Sequence, residues 1–200
     1  MIHPDTELRY ISPEVGYGVV ATQIIPKGTI TWVHDDLDQM FTPRQVSRMN
    51  PRMKALVETY TFRNAKGQYV LCWDHSRFVN HSFNSNCLST CYGFEFAVRD
   101  IHPGEQITND YGYLNITEPF EPIDEGTERK VVFPDDLLKM APIWDDILAE
   151  TFPLLLTVPQ PLADLLPPRI YKKAIKIAQG KDHADSIARI FCPTESSVRP

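Results

Sequence analysis

Alternating apolar and polar residues dominate the first half of the chain and predict short β-strands joined by turns. Residues 19–25 form a β-branched run that ends at Pro26-Lys27-Gly28, and residues 29–33 then alternate. Two such runs on either side of a turn are typical of a β-hairpin, so we expect them to pair. Further strands are predicted at 69–73 and 93–98.

One helical segment interrupts these strands. Thr42 is a suitable N-cap, Pro43 suits the first helical position, and Gln45 completes a capping box. Asn50 precedes Pro51, and the residue before a proline disfavours helical geometry. We therefore predict a short insert helix that is divided into two pieces at this point.

The composition of the chain changes after about residue 114. Eleven of the 17 prolines lie from Pro119 onward, and the strand pattern disappears. Pro134, Pro142 and Pro168 each precede helix-like sequence and are predicted to begin helices. The clearest helix covers 169–178, with Gly180 as its C-terminal stop. The pattern thus predicts a β-rich region at 7–113 and a helical, proline-punctuated region at 114–200.

The composition narrows the classes of function. Among 200 residues, 42% are hydrophobic and 23% charged, as in ordinary soluble domains. No apolar run approaches the roughly 20 residues that cross a bilayer, and the start of the chain lacks the features of a signal peptide. We therefore expect no membrane partner and a cytoplasmic protein, or a nuclear one in a eukaryote. A net charge of −6 argues against direct nucleic-acid binding and suits a basic peptide.

Three short segments carry the candidate chemistry. The first is Gly16-Tyr17-Gly18, the second reads RFVNHSFNSNC over residues 77–87, and the third reads GEQITNDYGY over residues 104–113. Taken singly, each is typical of an ordinary turn or strand end. Found in this order, they resemble the signature of the SET-domain protein lysine methyltransferases. The resemblance covers roughly residues 7–113 and identifies that region as a SET domain.

The resemblance implies a fold, a reaction and a methyl donor. The fold would be mainly β, a SET-domain β-clip with a knot-like crossing, joined by the insert helix and a small helical C-terminal region. The reaction would transfer a methyl group from S-adenosylmethionine (SAM) to the side-chain amine of a lysine in a protein or peptide substrate. The crossing would bring the segments 77–87 and 104–113 together.

The resemblance also implies roles for individual residues. Tyr111 would lie beside the methyl group in transfer, as the catalytic residue, and would also contact SAM. The other cofactor-binding residues would be Gly16, Tyr17, Gly18, Asn80 and His81. Phe96 would lie where the family carries Phe or Tyr, and Tyr113 would line the channel close by. Apart from the resemblance, Tyr60 lies in an aromatic-rich stretch of the sequence, and we expect it to supply part of the wall of the substrate channel.

Two departures from the family pattern bear on metal binding. Phe83 stands where many members have Cys, and Ser85 where they have Pro. Members with a cysteine-rich segment after the SET domain use that Cys for zinc, whereas this chain has only Cys192 after Tyr113. We therefore expect no metal, and we expect aromatic residues of the helical region to cover the cofactor instead. The candidates are Phe120, Phe133, Trp144 and Phe152.

Two other classes of protein stay open at this point. The chain could be a SET-like peptide-binding or scaffolding module without catalysis. It could also be a metal-binding or structural protein that uses cysteines and histidines, namely Cys72, Cys87, Cys91, His75 and His81. The presence of Asn80, His81 and Tyr111 together favours the enzyme.

Overall fold

Residues 1–193, which the computed structural model describes, form ten short strands, four α-helices and several single 3₁₀ turns. The strands form four small sheets, and one pair of strands, β7 and β10, is parallel. The strands are β1 (Thr6–Ser12), β2 (Gly16–Ala21), β3 (Ile30–Val33), β4 (Gln39–Phe41), β5 (Thr61–Arg63), β6 (Tyr69–Leu71), β7 (Asn80–His81), β8 (Cys87–Ser89), β9 (Phe94–Ala97) and β10 (Thr108–Asn109). The helices are α1 (Pro43–Ser47), α2 (Pro51–Tyr60), α3 (Asp136–Thr151) and α4 (Pro168–Ala178).

The sheets are small and separate. β1 pairs with β2, β3-β9-β8 form one three-stranded sheet, and β4-β6-β5 form another. The architecture is thus the predicted one, a mainly β region followed by helices. No helix within residues 1–193 has the length and apolar character needed to cross a membrane.

The expected hairpin between residues 19–25 and 29–33 is wrong. β2 pairs with β1, placing Tyr17 opposite Tyr10, whereas β3 pairs with β9, placing Val33 opposite Phe94. All four residues of β3 are buried, so its apolar side chains need partners on both faces. β9 pairs with the edge of β3 inside the core, and local alternation could not reveal a partner more than 60 residues away.

The insert helix forms as predicted. The Thr42 side chain accepts a hydrogen bond from the Gln45 backbone N–H at 3.3 Å, and the Gln45 side chain accepts one from the Thr42 N–H at 2.8 Å. Asn50 then caps a second helix by accepting from the Met53 N–H at 2.9 Å. The break at Asn50-Pro51 is therefore confirmed, and it separates α1 from α2.

The helical region agrees with the prediction at α4 but not at Pro142. Pro168 begins α4, and Gly180 follows its C-terminus with a φ of +67°. Pro142 was expected to begin a helix, but α3 runs through it. The side chains of α3 that are buried on either side of Pro142 account for this, because tertiary packing overrides a local helix breaker. They are Leu137, Ala141, Trp144 and Leu148.

The larger of the two apolar clusters joins the β-rich and helical regions. Phe152, directly after α3, packs against Phe96 with ring centroids 5.1 Å apart, and against Phe94 at 6.3 Å. A smaller cluster under β2 and β8 contains Val19, Cys87 and Ile107. The boundary near residue 113 stays a prediction, and one continuous core crosses it.

Candidate active site

The segments 77–87 and 104–113 meet through the parallel pairing of β7 with β10. Asn80 lies opposite Thr108, and His81 lies opposite Asn109. Two-residue strands form few hydrogen bonds, so side chains supply others. Asn86 is buried at 1% exposure, accepts from the Thr108 N–H at 2.9 Å, and donates to the Gln106 carbonyl at 2.7 Å. The crossing is therefore fixed by a buried amide as well as by backbone.

The crossing positions Tyr111 against His81. The Tyr111 N–H donates to His81 Nδ1 at 3.1 Å, and the Tyr111 hydroxyl donates to the Val79 carbonyl at 2.9 Å. Asp110 caps the turn by accepting from the Gly112 N–H at 2.9 Å. Burial raises the pKa of Tyr111 to about 12, so its side chain is a neutral phenol near pH 7.

His81 is neutral and has one unused donor. Burial lowers the pKa of His81 to about 4. Because Nδ1 accepts from Tyr111, the proton of the neutral ring is assigned to Nε2. Nε2 is buried and has no hydrogen-bond partner within residues 1–193. A buried donor of this kind can be satisfied by a bound ligand.

The Gly16–Gly18 loop is tied to the crossing by Asn80. The Asn80 amide nitrogen donates to the Tyr17 carbonyl at 3.1 Å and to the Gln106 side chain at 2.9 Å. A Cβ on Gly18 would lie 2.8 Å from this same nitrogen, so any other residue here would have to displace the Asn80 side chain. The Asn80 amide hydrogens thus hold the loop in place. No sequence pattern indicated the part played by Gln106.

A cavity of about 670 Å³ lies beside Tyr111. Its volume is in the range of small-molecule sites, and three residues expected at the site, Tyr60, Tyr111 and Tyr113, line it. His81 lines a neighbouring cavity of about 380 Å³. Four residues that were expected to bind the cofactor line neither cavity, namely Gly16, Tyr17, Gly18 and Asn80. Tyr17 packs on Phe78, with ring centroids 6.4 Å apart.

Phe96 is not brought to this cavity. Its side chain is fully buried in the larger apolar cluster, 5.1 Å from the rings of both Phe94 and Phe152. Strand alternation explains this placement, because the neighbouring residue Glu95 faces the other way and lines the cavity. We did not single out Glu95 from the sequence, although an acidic residue between two phenylalanines of a strand is unusual.

Arg129 is a further residue that the sequence did not reveal. Its guanidinium donates to the buried carboxylates of Asp110 and, at 2.7 Å, Asp136, and it lies 4.6 Å from the centre of the Phe83 ring. Burial raises the pKa of Asp110, and the Arg129 charge opposes that rise. We call these four residues the arginine clasp. It joins the turn of Tyr111 to the start of α3.

Of the four aromatic residues expected to cover a cofactor, only Phe120 lines the cavity. Its ring centroid lies 5.6 Å from that of Tyr111 and 5.8 Å from that of His81. Phe133 is exposed and lies under Lys139, while Trp144 and Phe152 are buried in the apolar core. Of these four residues, Phe120 is therefore the one placed to cover a ligand in the cavity.

The cysteines form no disulfide and are separated in the structure. Burial raises the pKa of the Cys72 thiol to about 12 and that of Cys91 to about 11, so both are protonated near pH 7. Within residues 1–193, no three His, Cys, Asp or Glu side chains converge as metal ligands would. At Phe83, where many relatives have Cys, the ring contacts Arg129 instead.

The comparison with protein families agrees with this geometry. Residues 16–112 match the family model of the SET domain, a match that takes in the Gly16–Gly18 loop, the crossing and Tyr111. Residues 16–112 therefore form a SET domain, which belongs to a family whose members are generally protein lysine methyltransferases. No curated protein matches the chain.

Proposed function

We propose that this protein is a SAM-dependent protein lysine N-methyltransferase. The observation that carries the proposal is the pairing of β7 with β10, which sets Tyr111 against His81 at the edge of a cavity of about 670 Å³. We further propose that the substrate is a protein or peptide lysine, and that the protein acts in the cytoplasm or nucleus.

The residues around the crossing fit SAM. The buried His81 Nε2–H is an unused donor, and the faces of Tyr111 and Phe120 suit a positively charged sulfonium. The Gly16–Gly18 loop begins β2 beside the crossing, and the close approach of Asn80 and Gln106 to Gly18 holds its position. We assign His81, Phe120, Tyr111 and this loop to cofactor binding, with Asn80 holding the loop. When bound, SAM supplies an activated methyl group on sulfur.

The chain must provide position and desolvation for a neutral amine. A lysine with an ordinary pKa near 10.4 is only about 1 part in 2,500 neutral at pH 7, a deficit of roughly 4.6 kcal/mol. Burial in the cavity lowers the pKa of an entering ammonium. Tyr111, with its pKa raised to about 12, is a poor source of phenolate, so we assign its oxygen to orienting the amine.

Cofactor binding is the direct test. Isothermal titration of the intact, folded chain with SAM should show saturable binding at one site. Labelled SAM incubated with the chain and a cell lysate should then transfer its methyl group to lysines, which peptide mapping would locate. A folded chain that binds no SAM would contradict the proposal and support a non-catalytic SET-like module instead.

Tyr111→Phe tests the role assigned to the phenol. We expect transfer to fall by about 100-fold or more, because misplaced reactants lose the gain from orientation. SAM affinity should stay within about a few-fold of wild type, since the ring that faces Phe120 is kept. Tyr10→Phe, at a side chain that is 55% exposed, is the matched control. Equal transfer rates in the Tyr111→Phe and control variants would remove Tyr111 from this role.

A further inference from the structure

Glu95 brings a carboxylate to the wall of the larger cavity. It lies opposite Trp32 of β3 and Ser89 of β8, and all three residues line that cavity. Phe96, next to it on β9, is buried in the apolar core on the other face. Glu95 is only 6% exposed. The sheet thus presents one buried acid to the space that Tyr111 borders.

This carboxylate has hydrogen-bond donors but no ion-pair partner among residues 1–193. Ser89 Oγ donates to Glu95 at 2.6 Å, and Asn109 Nδ2 donates to its two oxygens at 3.1 and 3.2 Å. Within residues 1–193, Glu95 forms no ion pair with any Lys, Arg or His. Burying a charge without a counter-ion is costly, so such a group is rarely only structural.

Other acceptors around the carboxylate are also unused. Asn109 Oδ1 and Thr31 Oγ1 are buried without hydrogen-bond partners, and both residues line the same cavity. Asn109 is two residues before Tyr111, so this polar wall lies close to the phenol along the chain. A primary ammonium has three donors and no acceptor, and it complements such a set of acceptors.

We propose that Glu95 is the counter-ion for the primary ammonium of the target side chain, with Asn109 and Thr31 as its further acceptors. The proposal rests on the proposed function, since it assigns a residue to the recognition of the lysine amine. It makes the cavity selective for a cationic side chain over an apolar one of equal length.

The same residue offers a destination for the proton that must leave the amine. Burial raises the pKa of Glu95 above that of an ordinary glutamate, despite the two donors. A proton that passes from the ammonium nitrogen to a Glu95 oxygen breaks one N–H bond and forms one O–H bond. The products are a neutral amine with a free electron pair and a neutral carboxylic acid, so the net charge of the cavity is unchanged.

The titratable groups that face Glu95 are few. They are the Cys87 thiol on β8, the Tyr113 phenol after β10 and the amino group of Met1. Burial raises the pKa of both Cys87 and Tyr113, so neither loses its proton below pH 8. His34, Glu58 and Glu118 line the same cavity, so only the part of an acid-induced change in ligand preference that Glu95→Gln abolishes is assigned to Glu95.

The test compares two small probes that differ in charge. Nα-acetyl-lysine amide and Nα-acetyl-norleucine amide are titrated into the ¹⁵N-labelled full chain and followed by NMR, with and without S-adenosylhomocysteine. The wild type should prefer the lysine probe, and Glu95→Gln should reduce that preference by about 30-fold. Glu150→Gln, whose side chain is 75% exposed, is the matched control and should keep it.

Acidification of the wild type provides the second measurement, which is repeated on Glu95→Gln. The lysine probe stays charged from about pH 8 to about pH 4. Burial raises the pKa of Glu95, so acidification over that range favours its protonated, neutral form. The preference for lysine should therefore be high at neutral pH and fall on acidification. A wild type without any preference, a preference that is constant over this range, or one that survives in folded Glu95→Gln would overturn the proposal.

The proposed function is tested separately by calorimetry with S-adenosylhomocysteine. Wild type and Glu95→Gln should bind it with affinities that agree within about twofold. If the wild type does not bind it but still prefers the lysine probe through Glu95, the cofactor assignment is wrong and the ammonium site stands. If it binds and the preference is absent, only the ammonium site is wrong.

Discussion

Different interactions stabilise two regions of the molecule, the crossing of β7 with β10 and the junction between β9 and the helical region. The crossing is polar, with buried amides such as Asn86 replacing the backbone bonds that two-residue strands cannot make. The junction is apolar, with Phe152 packed on Phe94 and Phe96. Apolar burial stabilises in proportion to area and without direction, whereas hydrogen bonds fix geometry. We infer that the junction holds the fold together and that the crossing sets the positions of site residues.

Phe152→Ala should give the largest loss of stability. Removing a fully buried ring leaves a cavity at the junction, and such changes cost about 4 kcal/mol in the free energy of unfolding. Urea denaturation followed by fluorescence measures this loss. Leu156→Ala, in the same 3₁₀ turn but 47% exposed, is the control and should change little. Similar losses in the two variants would mean that the junction does not dominate stability.

Arg129→Ala should give the next largest loss, about 3 kcal/mol, because it leaves two buried carboxylates without a counter-ion. The side chains of Asp110 and Asp136 are 2% and 7% exposed. Lys130→Ala is the control, since Lys130 pairs with Asp124 at the surface. Equal urea midpoints for the two variants would show that the arginine clasp contributes no more than a surface ion pair.

Gly18→Ala should cost about 2 kcal/mol, as expected for overpacking at a tight contact. The added methyl group would lie 2.8 Å from Asn80 Nδ2 and 2.9 Å from an Ile11 carbon. The effect should reach the crossing, so NMR shifts of residues 80 and 106 should move as well. A variant as stable as wild type, with unchanged shifts, would separate the loop from the crossing.

A further effect, which appears only on acidification, concerns His81. Its pKa is about 4 in the folded chain and 6.5 ordinarily, so between these values the unfolded chain binds a proton that the folded chain does not. The contribution of His81 to stability is thus complete above pH 6.5 and is lost as the pH falls towards 4. His81→Asn should therefore show a smaller fall in urea midpoint over this range than wild type. Parallel pH profiles of the two proteins would contradict this prediction.

Local sequence signals correctly predicted the helix caps and helix ends, because these features depend on residues that are neighbours in the sequence. The capping box at Thr42 and Gln45, the break at Asn50-Pro51 and the end of α4 at Gly180 all formed as expected. The partner of β3 was not predicted correctly, because a fully buried strand can pair with any strand of suitable composition. Only the complete fold selects β9.

The candidate site was predictable in part, through the resemblance of three segments to a family. That resemblance pointed to Asn80, His81 and Tyr111, which the structure brings together. It placed Phe96 in the channel, whereas the structure has Glu95 facing the cavity, because one residue of register decides which face of a strand is used. No sequence pattern pointed to Arg129, because the two carboxylates that it binds lie far from each other in the sequence.

The arginine clasp also has a consequence for the order in which the protein is made. Asp110 leaves the ribosome before Arg129, because synthesis runs from the N-terminus and the counter-ion is encoded 19 residues later. A nascent chain that pauses between the two has an acidic residue at the turn of Tyr111 with nothing to neutralise it. The ion pair that neutralises Asp110 thus awaits the arrival of the downstream segment.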